Sequence, residues 1–402
     1  MNKERNFILG AGLSGLAAAH LLKMNLTKPY ILEATNNIGG RISTIKHTRV
    51  SIDIGAQFFS KKDLNLYPLI KDLSLDKSLT ETSIDNLDLM LDSKLIKIND
   101  TKYKDFDKTQ SKELEKFRLS LLNCNKNPIS MNSELFLINF QEWYYQNIGK
   151  ETIWFPDALL KSITFTDSKK VCAFYGILAC QSFFIKTHTF HQGMSALINK
   201  LKKDINIENS KITNISFSKE SVGSITESTG KIIKVKKGLI SAIPSNELYK
   251  IVEEKCLAKA LKKIPYNGCS VLVIEPKNKM LINSKGILTP ESKIISAILN
   301  TGKYCTILAP YDNKKGEAKK EKILKEFDKL SLDFDKKLIY YKNWDYGLPE
   351  FNKKTYKLQK DIQYLTNNYS NFAICGDFMG LPSLDACVES GYNAAKKLMQ
   401  LD

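Results

Sequence analysis

The stretch Phe7-Ile-Leu-Gly10-Ala-Gly12-Leu-Ser-Gly15 decides the fold of this chain. An apolar strand runs into a glycine-rich turn, and the apolar segment from Leu16 to Leu22 continues at once as a helix. Gly10 allows the tight turn, Gly12 lets the backbone approach a pyrophosphate, and Gly15 lets the helix pack against the strand. The N–H groups of the first helical turn and the helix dipole would then face the anion.

A second predicted strand, Pro29-Tyr-Ile-Leu-Glu33, ends in a carboxylate 18 residues after Gly15. A Glu at this place would hold a ribose hydroxyl of a dinucleotide. Glycine spacing alone is a weak signal. Strand, turn, helix, strand and terminal carboxylate together predict a Rossmann-like dinucleotide-binding unit.

The segment after Glu33 distinguishes FAD from NAD. It contains Gly39-Gly40-Arg41 and then Asp53-Ile-Gly55-Ala56-Gln57. A nicotinamide-binding domain has no need of a second glycine pair followed by Arg. A flavin cofactor is larger and bent, so a longer part of the chain must run beside it. The glycines would let the backbone pass close to the cofactor, and Arg41 offers a fixed fork of donors for phosphate.

These motifs resemble those of the flavin amine oxidase superfamily, which includes amine oxidases, renalase-like proteins, protoporphyrinogen oxidases and phytoene-type desaturases. The closing motif of the superfamily is also present, because a strand at Phe372–Gly376 leads into Asp377 and a helix begins near Ser383. The resemblance implies that Asp377 holds the ribityl chain and that the N-terminus of this helix points at the flavin pyrimidine. A positive helix end there would stabilise negative charge on the flavin. The backbone at Ile212 would meet the adenine.

The resemblance therefore implies FAD bound without a covalent bond, by residues from both ends of the chain. The implied contact residues are Gly10, Gly12, Leu13, Ser14, Gly15, Glu33, Ala34, Gly39, Gly40, Arg41, Gly55, Ala56, Gln57, Ile212, Gly376, Asp377, Asp385, Ala386 and Cys387. We predict an α/β fold, in which a Rossmann-like FAD-binding domain with a parallel sheet is interleaved with an α+β substrate-binding domain. The FAD-binding domain is expected from residues 1–62, 186–250 and 355–402, and the substrate-binding domain from residues 63–185 and 251–354.

Periodicity predicts further strands of the FAD-binding domain. Apolar residues alternate with polar ones in 210–217 and 231–235, which predicts an antiparallel set of strands. The apolar segment 238–242 predicts a buried strand.

Composition argues against other classes of protein. With 43% hydrophobic residues, the 402-residue chain is typical of a globular protein of about two domains. Its net charge of +17 comes from 56 Lys and only 4 Arg without a dense basic block, so we expect a solvated lysine surface and no nucleic-acid partner. The four His and eight Cys show no metal-ligand spacing, so no metal is expected, and buried reduced thiols are typical of a cytoplasmic protein.

The longest apolar run, Val171–Ile185, bears on membrane contact. Its 15 residues are fewer than the ~20 that a spanning helix needs. The first interpretation is a helix buried under the substrate site, and the second is a helix that faces a membrane from one side. The protein is therefore expected in the cytoplasm, with peripheral contact to the inner face of a membrane as the alternative.

The sequence assigns no catalytic base. Gln57 and Trp344 are candidate flavin-proximal residues. Gln57 follows the turn expected beneath the isoalloxazine ring. The ring of Trp344 would either line the flavin site or pack in the hydrophobic core. Amine-oxidising members of the superfamily usually carry a lysine, which holds a water at flavin N5, on the strand that matches Gly268–Glu275. They often carry an aromatic residue just before the final helix. Here that strand lacks lysine, the nearest being Lys277, and Ser383 stands at the aromatic position.

These departures favour an FAD-dependent oxidoreductase that removes hydride equivalents from an apolar or conjugated small molecule. The closing stretch Ser383–Gly391 is similar to desaturases and protoporphyrinogen oxidases, whereas Gly39–Ser43 and Asp53–Ser60 are similar to renalase-like proteins. An amine oxidase or renalase-like oxidase therefore stays open as an alternative. A flavin-binding protein without turnover is an alternative of another class.

Overall fold

The glycine-rich stretch lies in the first of two compact units of a computed structural model, which describes residues 5–83, 87–92, 94–97, 106–126, 134–276, 286–312, 319–330 and 336–400. Unit 1 comprises Met1–Thr80, Thr189–Pro265 and Lys354–Asp402, and unit 2 comprises Glu81–His188 and Tyr266–Lys353. The predicted domain boundaries were placed after residues 62, 185, 250 and 354. The assignment of FAD binding and substrate binding to these parts stays a prediction.

The strands and helices follow one another along both units. The strands are β1 (Asn6–Leu9), β2 (Pro29–Glu33), β3 (Thr44–His47), β4 (Val50–Asp53), β5 (Phe59–Ser60), β6 (Leu79–Ser83), β7 (Leu87–Leu91), β8 (Lys94–Lys97), β9 (Lys186–Phe190), β10 (Asn206–Asn209), β11 (Ile212–Phe217), β12 (Val222–Glu227), β13 (Ile232–Lys234), β14 (Gly238–Ser241), β15 (Tyr266–Pro276), β16 (Gly286–Leu288), β17 (Ala297–Asn300), β18 (Cys305–Asp312), β19 (Lys336–Pro349) and β20 (Phe372–Ile374). The α-helices are α1 (Leu13–Met24), α2 (Leu66–Asp72), α3 (Lys108–Lys126), α4 (Phe140–Asn147), α5 (Trp154–Thr164), α6 (Ala173–Gln181), α7 (Ser195–Leu201), α8 (Ser245–Leu248), α9 (Lys255–Lys262), α10 (Lys320–Lys329), α11 (Lys353–Asn367) and α12 (Leu384–Met399).

Unit 1 is built on a parallel sheet of order β10-β2-β1-β14-β20. β1 and β14 are buried along their full lengths, as expected for central strands of a parallel sheet. Leu9 pairs with Leu32 on one side and with Ser241 on the other, so the turns that follow these strands lie at the same edge of the sheet. This is the predicted Rossmann-like arrangement, and the predicted buried strand at 238–242 is confirmed as β14.

The predicted antiparallel set is also confirmed. β11 pairs with β12, and β12 pairs with β13. The ring of Phe217 on β11 meets that of Phe372 on β20 edge to face, with 5.4 Å between the centroids. This contact fixes the small sheet to an outer strand of the parallel sheet.

Two helices of unit 1, α1 and α12, pack directly on each other. A Cβ on Gly391 of α12 would lie 2.3 Å from the carbonyl oxygen of Ser14, so the helices touch at backbone distance. α2 contributes Leu66, Leu69 and Ile70 to the same apolar core. The packing of α2 explains why unit 1 extends beyond residue 62.

Unit 2 contains a seven-stranded sheet of order β19-β15-β18-β17-β16-β7-β8. Its neighbouring strands are antiparallel except for β16 and β7, which are parallel. The long strands β15 and β19 pair from Tyr266 opposite Pro349 to Pro276 opposite Lys336. Phe327 brings α10 into the apolar core of this sheet.

The apolar run 171–185 folds into α6 and a 3₁₀ turn at Ser182–Phe184. α6 is buried except at Leu178 and packs beside α3, α4 and α5. Phe174 on α6 stacks on Phe136, with 4.3 Å between the ring centroids. The predicted burial of this helix is confirmed, and its place under the substrate site stays a prediction. In the described parts of the chain, no helix combines the length and the apolar character needed to cross a bilayer.

Candidate cofactor site

The turn between β1 and α1 leaves space at only one of its three glycines. Gly10 has a φ of +97°, and its N–H donates to the Leu32 carbonyl at 2.9 Å. A Cβ on Gly15 would lie 2.1 Å from the Gly10 carbonyl oxygen, so α1 meets the turn backbone to backbone. A Cβ on Gly12, by contrast, would meet no described atom within 4 Å. The turn is therefore open at Gly12, as a cofactor that approaches the backbone requires.

The N-terminus of α1 is suited to an anion. The helix begins at Leu13, and its N-cap, Gly12, has no side chain with which to bond the first turn. The first N–H groups of a helix have no partner within the helix, and they lie at the positive end of its dipole. Ser14 in this turn is buried. The open space and the N–H groups together fit the pyrophosphate of a dinucleotide.

Glu33, at the end of β2, lies against the same turn. Its Oε2 accepts a hydrogen bond from the Ala11 N–H at 2.7 Å, and its Oε1 accepts from the N–H and the hydroxyl of Thr35 at 2.9 and 2.8 Å. Ala34, between them, is exposed. These bonds fix the carboxylate beside the turn, where the ribose of a dinucleotide is expected.

Ile212 lies close to Glu33 along the main chain. The N–H of Ser210 donates to the Glu33 carbonyl at 2.9 Å, and Ile212 begins β11 two residues later. The side chain of Ile212 is half-buried. Its backbone contact with adenine stays a prediction.

The second glycine pair packs on the first turn. The N–H of Gly39 donates to the Ala11 carbonyl at 2.9 Å, and Gly39 forms a parallel bridge with Gly12. A Cβ on Gly40 would lie 3.6 Å from the Gly12 Cα. The structure thus brings the two glycine motifs together, as one shared cofactor would require.

Arg41 and Asp377 form a bidentate ion pair between the two ends of the chain. Nη1 of Arg41 donates to Oδ2 of Asp377 at 2.6 Å, and Nη2 donates to Oδ1 at 2.8 Å. The Asp377 side chain is 5% exposed and the Arg41 side chain 29%. Both residues were predicted as cofactor contacts, but their pairing was not predicted.

The turn after β4 is tied to Arg41 through the main chain. The N–H of Ala56 donates to the Arg41 carbonyl at 3.0 Å, and a Cβ on Gly55 would lie 2.0 Å from that oxygen. Nε2 of Gln57 donates to the Asp53 carbonyl at 3.2 Å. Gln57 therefore shares a turn with the other predicted residues, and its place beneath the flavin stays a prediction.

Asp53 heads this turn but was not predicted as a site residue. Its buried carboxylate accepts hydrogen bonds from the Thr44 hydroxyl at 2.5 Å and the Met194 N–H at 2.9 Å, and from the Thr189 hydroxyl at 3.4 Å. Burial raises the pKa of Asp53 to about 6, and these three donors lower it in part. Asp53 thus joins the turn to the loop before α7. Its place at the head of the Gly-Ala-Gln pattern was the signal that could have identified it.

The N-terminus of α12 carries three predicted contact residues. The hydroxyl of Ser383 caps the helix by accepting from the Ala386 N–H at 3.1 Å. The Asp385 carboxylate accepts from the N–H groups of Asn65 and Leu66, both at 2.7 Å, and from Asn65 Nδ2 at 3.1 Å. Asp385 therefore holds the start of α2. Its contact with the cofactor stays a prediction, as does that of Ala386.

Cys387, the third of these residues, carries a thiol with a raised pKa. Burial, together with the charge of Asp377, raises the pKa of Cys387 to about 12, although Arg41 lowers it in part. The hydroxyl of Ser390 accepts from the Gly376 N–H at 3.1 Å and donates to the Cys387 carbonyl at 3.2 Å. Because the thiolate and not the thiol is the nucleophile, this raised pKa lowers the reactivity of Cys387.

Trp344 belongs to unit 2, whereas Gln57 belongs to unit 1. Trp344 lies on β19 opposite Cys269 of β15 and is half-buried. Nζ of Lys342 lies 4.3 Å from the centroid of its ring. The predicted position of Trp344 at the flavin stays a prediction.

The described acidic and thiol groups do not assemble into a metal site. Among the residues that the structure describes, no group of three His, Cys, Asp or Glu side chains is placed to hold a metal ion. Cys172, Cys180 and Cys375 are buried free thiols.

Comparison with known proteins places the chain in a family. The sequence profile of the flavin-containing amine oxidoreductases matches residues 13–399. The chain belongs to this family. The flavin-containing amine oxidase A of Equus caballus is 34% identical to this flavin-containing amine oxidoreductase over 70 residues, which are 17% of this chain and 13% of that protein. The aligned stretch therefore spans less than a sixth of that relative.

Solved structures match the whole chain. A putative protoporphyrinogen oxidase from Exiguobacterium sp. 255-15 has a TM-score of 0.75 at 15% identity, and all of both chains is covered. A putrescine oxidase bound to putrescine has a TM-score of 0.74 at 14% identity, with 98% of this chain and 99% of that chain covered. At these identities the likeness shows the fold alone.

The family and the geometry agree on the cofactor. Membership confirms the predicted superfamily, FAD as the cofactor and the class of FAD-dependent oxidoreductase. The solved structures confirm the predicted α/β fold class. The residues present fit FAD, because Gly12 leaves open space that a Cβ would fill and Glu33 lies beside it.

Proposed function

We propose that this flavin-containing amine oxidoreductase removes hydride equivalents from an apolar or conjugated small molecule, with FAD held non-covalently by unit 1. FAD, when bound, supplies the acceptor for the electrons. The first turn of α1 would hold the pyrophosphate, Glu33 the ribose and Asp377 the ribityl chain. The two glycine motifs would give the cofactor its close approach to the backbone.

The strand β15 of unit 2 carries the substrate part of this proposal. Its eleven residues, Tyr266–Pro276, include no lysine, and only Glu275 among them is not fully buried. This strand therefore lacks the lysine with which amine-oxidising members of the superfamily usually hold a water at flavin N5. An apolar substrate needs no such relay and gains ~25 cal/mol per Å² of apolar surface that it buries. Lys277, the nearest lysine in sequence, lies outside the described residues.

An amine oxidase or renalase-like oxidase is the alternative, and one observation favours it. The neighbouring strand β19 carries Lys342 opposite Val271 of β15. Its ammonium lies over the ring of Trp344. In an amine oxidase, Lys342 would be the residue of this sheet that orients a water. A flavin-binding protein without turnover is the third hypothesis.

Anaerobic mixing of the yellow protein with candidate substrates separates these hypotheses. The panel contains polyenes, porphyrinogens, simple amines and reduced nicotinamides, and the loss of flavin absorbance is recorded. We expect bleaching by a polyene or a porphyrinogen. Fast bleaching by an amine, with none by the apolar compounds, would contradict the proposal and favour the alternative. Bound FAD that dithionite reduces but no compound bleaches would indicate a protein without turnover.

Lys342→Met provides the control for this screen. The substitution removes the ammonium and keeps an unbranched apolar chain in its place. Under the proposal, bleaching by the apolar substrate proceeds at nearly the same rate. Under the alternative, bleaching by amines is lost while FAD stays bound.

A further inference from the structure

The parallel sheet of unit 1 has two edges with different surroundings. The turn between β1 and α1 lies where the strands end, and the opposite edge, where the strands begin, is its amino edge. β1 and β10 both pair in parallel with β2, from Asn6 opposite Pro29 and from Asn206 opposite Tyr30. The segments that enter β2 and β10 are therefore level with each other at the amino edge.

These two segments carry a group of lysines. Segment 23–28 ends α1 and enters β2, and segment 202–205 follows α7 and enters β10. Nζ of Lys23 lies 3.7 Å from Oδ2 of Asp204, so the two segments are in contact. The lysines of both segments together, which we call the basic edge, are Lys23, Lys28, Lys202 and Lys203. All of them are exposed except Lys202, which is half-buried.

Two apolar side chains of segment 23–28 stand out among these lysines. Leu26 is 94% exposed and Met24 is 61% exposed. Leu26 has a φ of +60°, a conformation in which Gly or Asn is usual after a helix. The N–H and the hydroxyl of Thr27 both donate to the Leu22 carbonyl, at 3.1 and 2.7 Å, which closes the turn around it. The turn therefore holds a leucine out in solvent at a position where the backbone favours a smaller residue.

Charge and apolar exposure together indicate the partner that this surface fits. Single exposed apolar side chains are common and need no explanation. Here two of them lie among ammonium groups. An anionic bilayer offers phosphate and carboxylate groups to the lysines and an apolar interior to Leu26 and Met24. A nucleic acid also offers phosphates, but segments 23–28 and 202–205 contain no arginine and no aromatic residue to stack on bases.

We propose that the basic edge, with Leu26 and Met24 as its apolar tip, docks unit 1 on a membrane surface that contains anionic phospholipid. The lysines lie at the headgroups, and the two apolar side chains enter the boundary between headgroups and acyl chains. The turn between β1 and α1, at the other edge of the sheet, takes no part in this contact. The helix α6, which the sequence offered for membrane contact, is buried instead.

Co-sedimentation with lipid vesicles tests this surface. The full chain is mixed with phosphatidylcholine vesicles that either contain or lack phosphatidylserine, and the partition coefficient is read from the protein in the pellet. We expect binding to the vesicles with phosphatidylserine and a weaker interaction at high salt, because salt screens exposed charges. No binding, or equal binding to both kinds of vesicle, would overturn the proposal.

A pair of lysine substitutions tests the basic edge. Lys28→Gln combined with Lys203→Gln should weaken binding to the anionic vesicles about tenfold or more, because two ammonium groups leave the headgroups. Lys112→Gln combined with Lys116→Gln removes the same charge from exposed positions of α3 and should change binding little. Equal losses in the two double variants would show that the net charge of +17 acts diffusely, and the proposal would be wrong.

Leu26→Asn tests the apolar tip. The substitution removes the apolar side chain and keeps a residue that tolerates a positive φ. Binding to the anionic vesicles should weaken about fivefold or more. Ile232→Asn makes a comparable change at an isoleucine of β13 that is 67% exposed, and it should change binding little. If Leu26→Asn bound these vesicles like the wild type, the contact would be one of charge alone and the proposed docking would be overturned.

Further measurements keep the outcomes distinct. Denaturant unfolding and flavin absorbance show whether each variant folds and holds FAD, and Leu26→Gly replaces Leu26→Asn if the latter is unstable. Single-stranded and duplex DNA compete with the vesicles, and a preference for DNA that depends on Lys28 and Lys203 would overturn the membrane assignment. If the wild type docks on anionic vesicles but takes up no FAD, the proposed function fails and this surface stands.

Discussion

Each unit has an apolar core and paired strands, but the two units differ in their most distinctive contacts. In unit 1, polar bonds join residues more than 300 positions apart, such as Arg41 with Asp377 and Asp385 with Asn65. Unit 2 contains a cluster of buried aromatic rings. Phe140, for example, contacts the rings of Phe117, Trp143 and Tyr144, with centroid distances of 6.3, 5.4 and 6.0 Å.

This difference affects how each unit tolerates change. A bidentate ion pair needs one residue type at each of its positions, and so does a glycine at which two backbones touch. An apolar core, by contrast, accepts many residues of suitable volume. These positions of unit 1 therefore tolerate few substitutions, whereas the apolar core of unit 2 can be repacked with other residues of suitable volume. Solved structures named for a protoporphyrinogen oxidase and for putrescine oxidase share this fold at 14% to 15% identity. The comparison of the two units predicts different outcomes for matched substitutions.

Gly15→Ala should have the largest effect. Its Cβ would lie 2.1 Å from the Gly10 carbonyl oxygen, so β1 and α1 would have to separate. We expect a loss of roughly 5 kcal/mol or more in the free energy of unfolding, with loss of FAD binding. Denaturant unfolding and FAD titration measure both effects.

Gly12→Ala is the matched control for that experiment. Its Cβ meets no described atom within 4 Å, and its φ of −74° suits any residue. The apoprotein should change in stability by less than about 1 kcal/mol, while FAD affinity falls because the methyl group occupies the space proposed for the cofactor. Equal stability losses in the two alanine variants would show that the turn is not packed as described.

Phe140→Ala should have the next largest effect on the free energy of unfolding, and it should leave FAD affinity unchanged. The ring is fully buried in unit 2. Truncation should cost about 3 to 5 kcal/mol in the free energy of unfolding, while the FAD affinity of the folded protein stays the same. Urea unfolding of the apoprotein, paired with FAD titration below the transition, measures this. Tyr145→Ala, at an exposed position on the same helix, is the control and should change the free energy of unfolding little. If FAD affinity fell in Phe140→Ala but not in Tyr145→Ala, the expectation that this core substitution leaves FAD binding unchanged would be wrong.

Asp53→Asn should change the pH dependence of unit 1. The pKa of Asp53 is raised from 3.8 to about 6 in the folded protein, so the folded state binds the proton more tightly than the unfolded state. The stability that this proton provides is full below about pH 4 and is lost as the pH rises through about 6. Between pH 4 and pH 7 the wild type should therefore lose about 2 kcal/mol in the free energy of unfolding that Asp53→Asn does not lose.

Unfolding curves of both proteins across this range measure the difference. Asp63, whose pKa burial also raises to about 6, is present in both proteins and cancels in the comparison. Parallel stability curves for wild type and Asp53→Asn would mean that the Asp53 carboxylate is not held as described.

Glu33→Gln should have the smallest of these effects. The neutral amide loses charge-assisted hydrogen bonds to ribose, so FAD binding should weaken by about 2 kcal/mol. Glu208→Gln is the control. Glu208 lies on β10, the strand next to β2, and its carboxylate accepts a hydrogen bond from the hydroxyl of Tyr30, so it also loses one charged partner but lies outside the proposed site. Equal FAD affinity in Glu33→Gln and the wild type would remove Glu33 from the proposed site.

Local features of unit 1 could be predicted because their signals lie within a few residues. β2 ends at Glu33, β14 is buried, and α12 begins after Ser383, all as the patterns indicated. The pair of Arg41 and Asp377 could not be predicted, because 336 residues separate the partners and nothing in either motif states which acceptor the fork will meet.

Unit 2 was less predictable for a related reason. An apolar strand such as β15 shows that it is buried but not which strand lies beside it. Its pairing with β19, which places Lys342 opposite Val271, depends on the register of two strands that are about 70 residues apart. Trp344 could therefore be proposed as a candidate residue from the sequence, but the residues that surround it could not be predicted.

The order of the segments has a consequence for biosynthesis. All of unit 2 precedes the last segment of unit 1, Lys354–Asp402, so the ribosome begins unit 1 first and completes it last. At roughly 5 to 20 residues per second, the nascent chain waits about 20 to 70 s between the synthesis of Arg41 and that of Asp377. β14 is synthesised about 130 residues before its neighbour β20, so it presents an open strand edge during the last part of that interval. The parallel sheet of unit 1 is therefore completed only when the last segment of the chain has been synthesised.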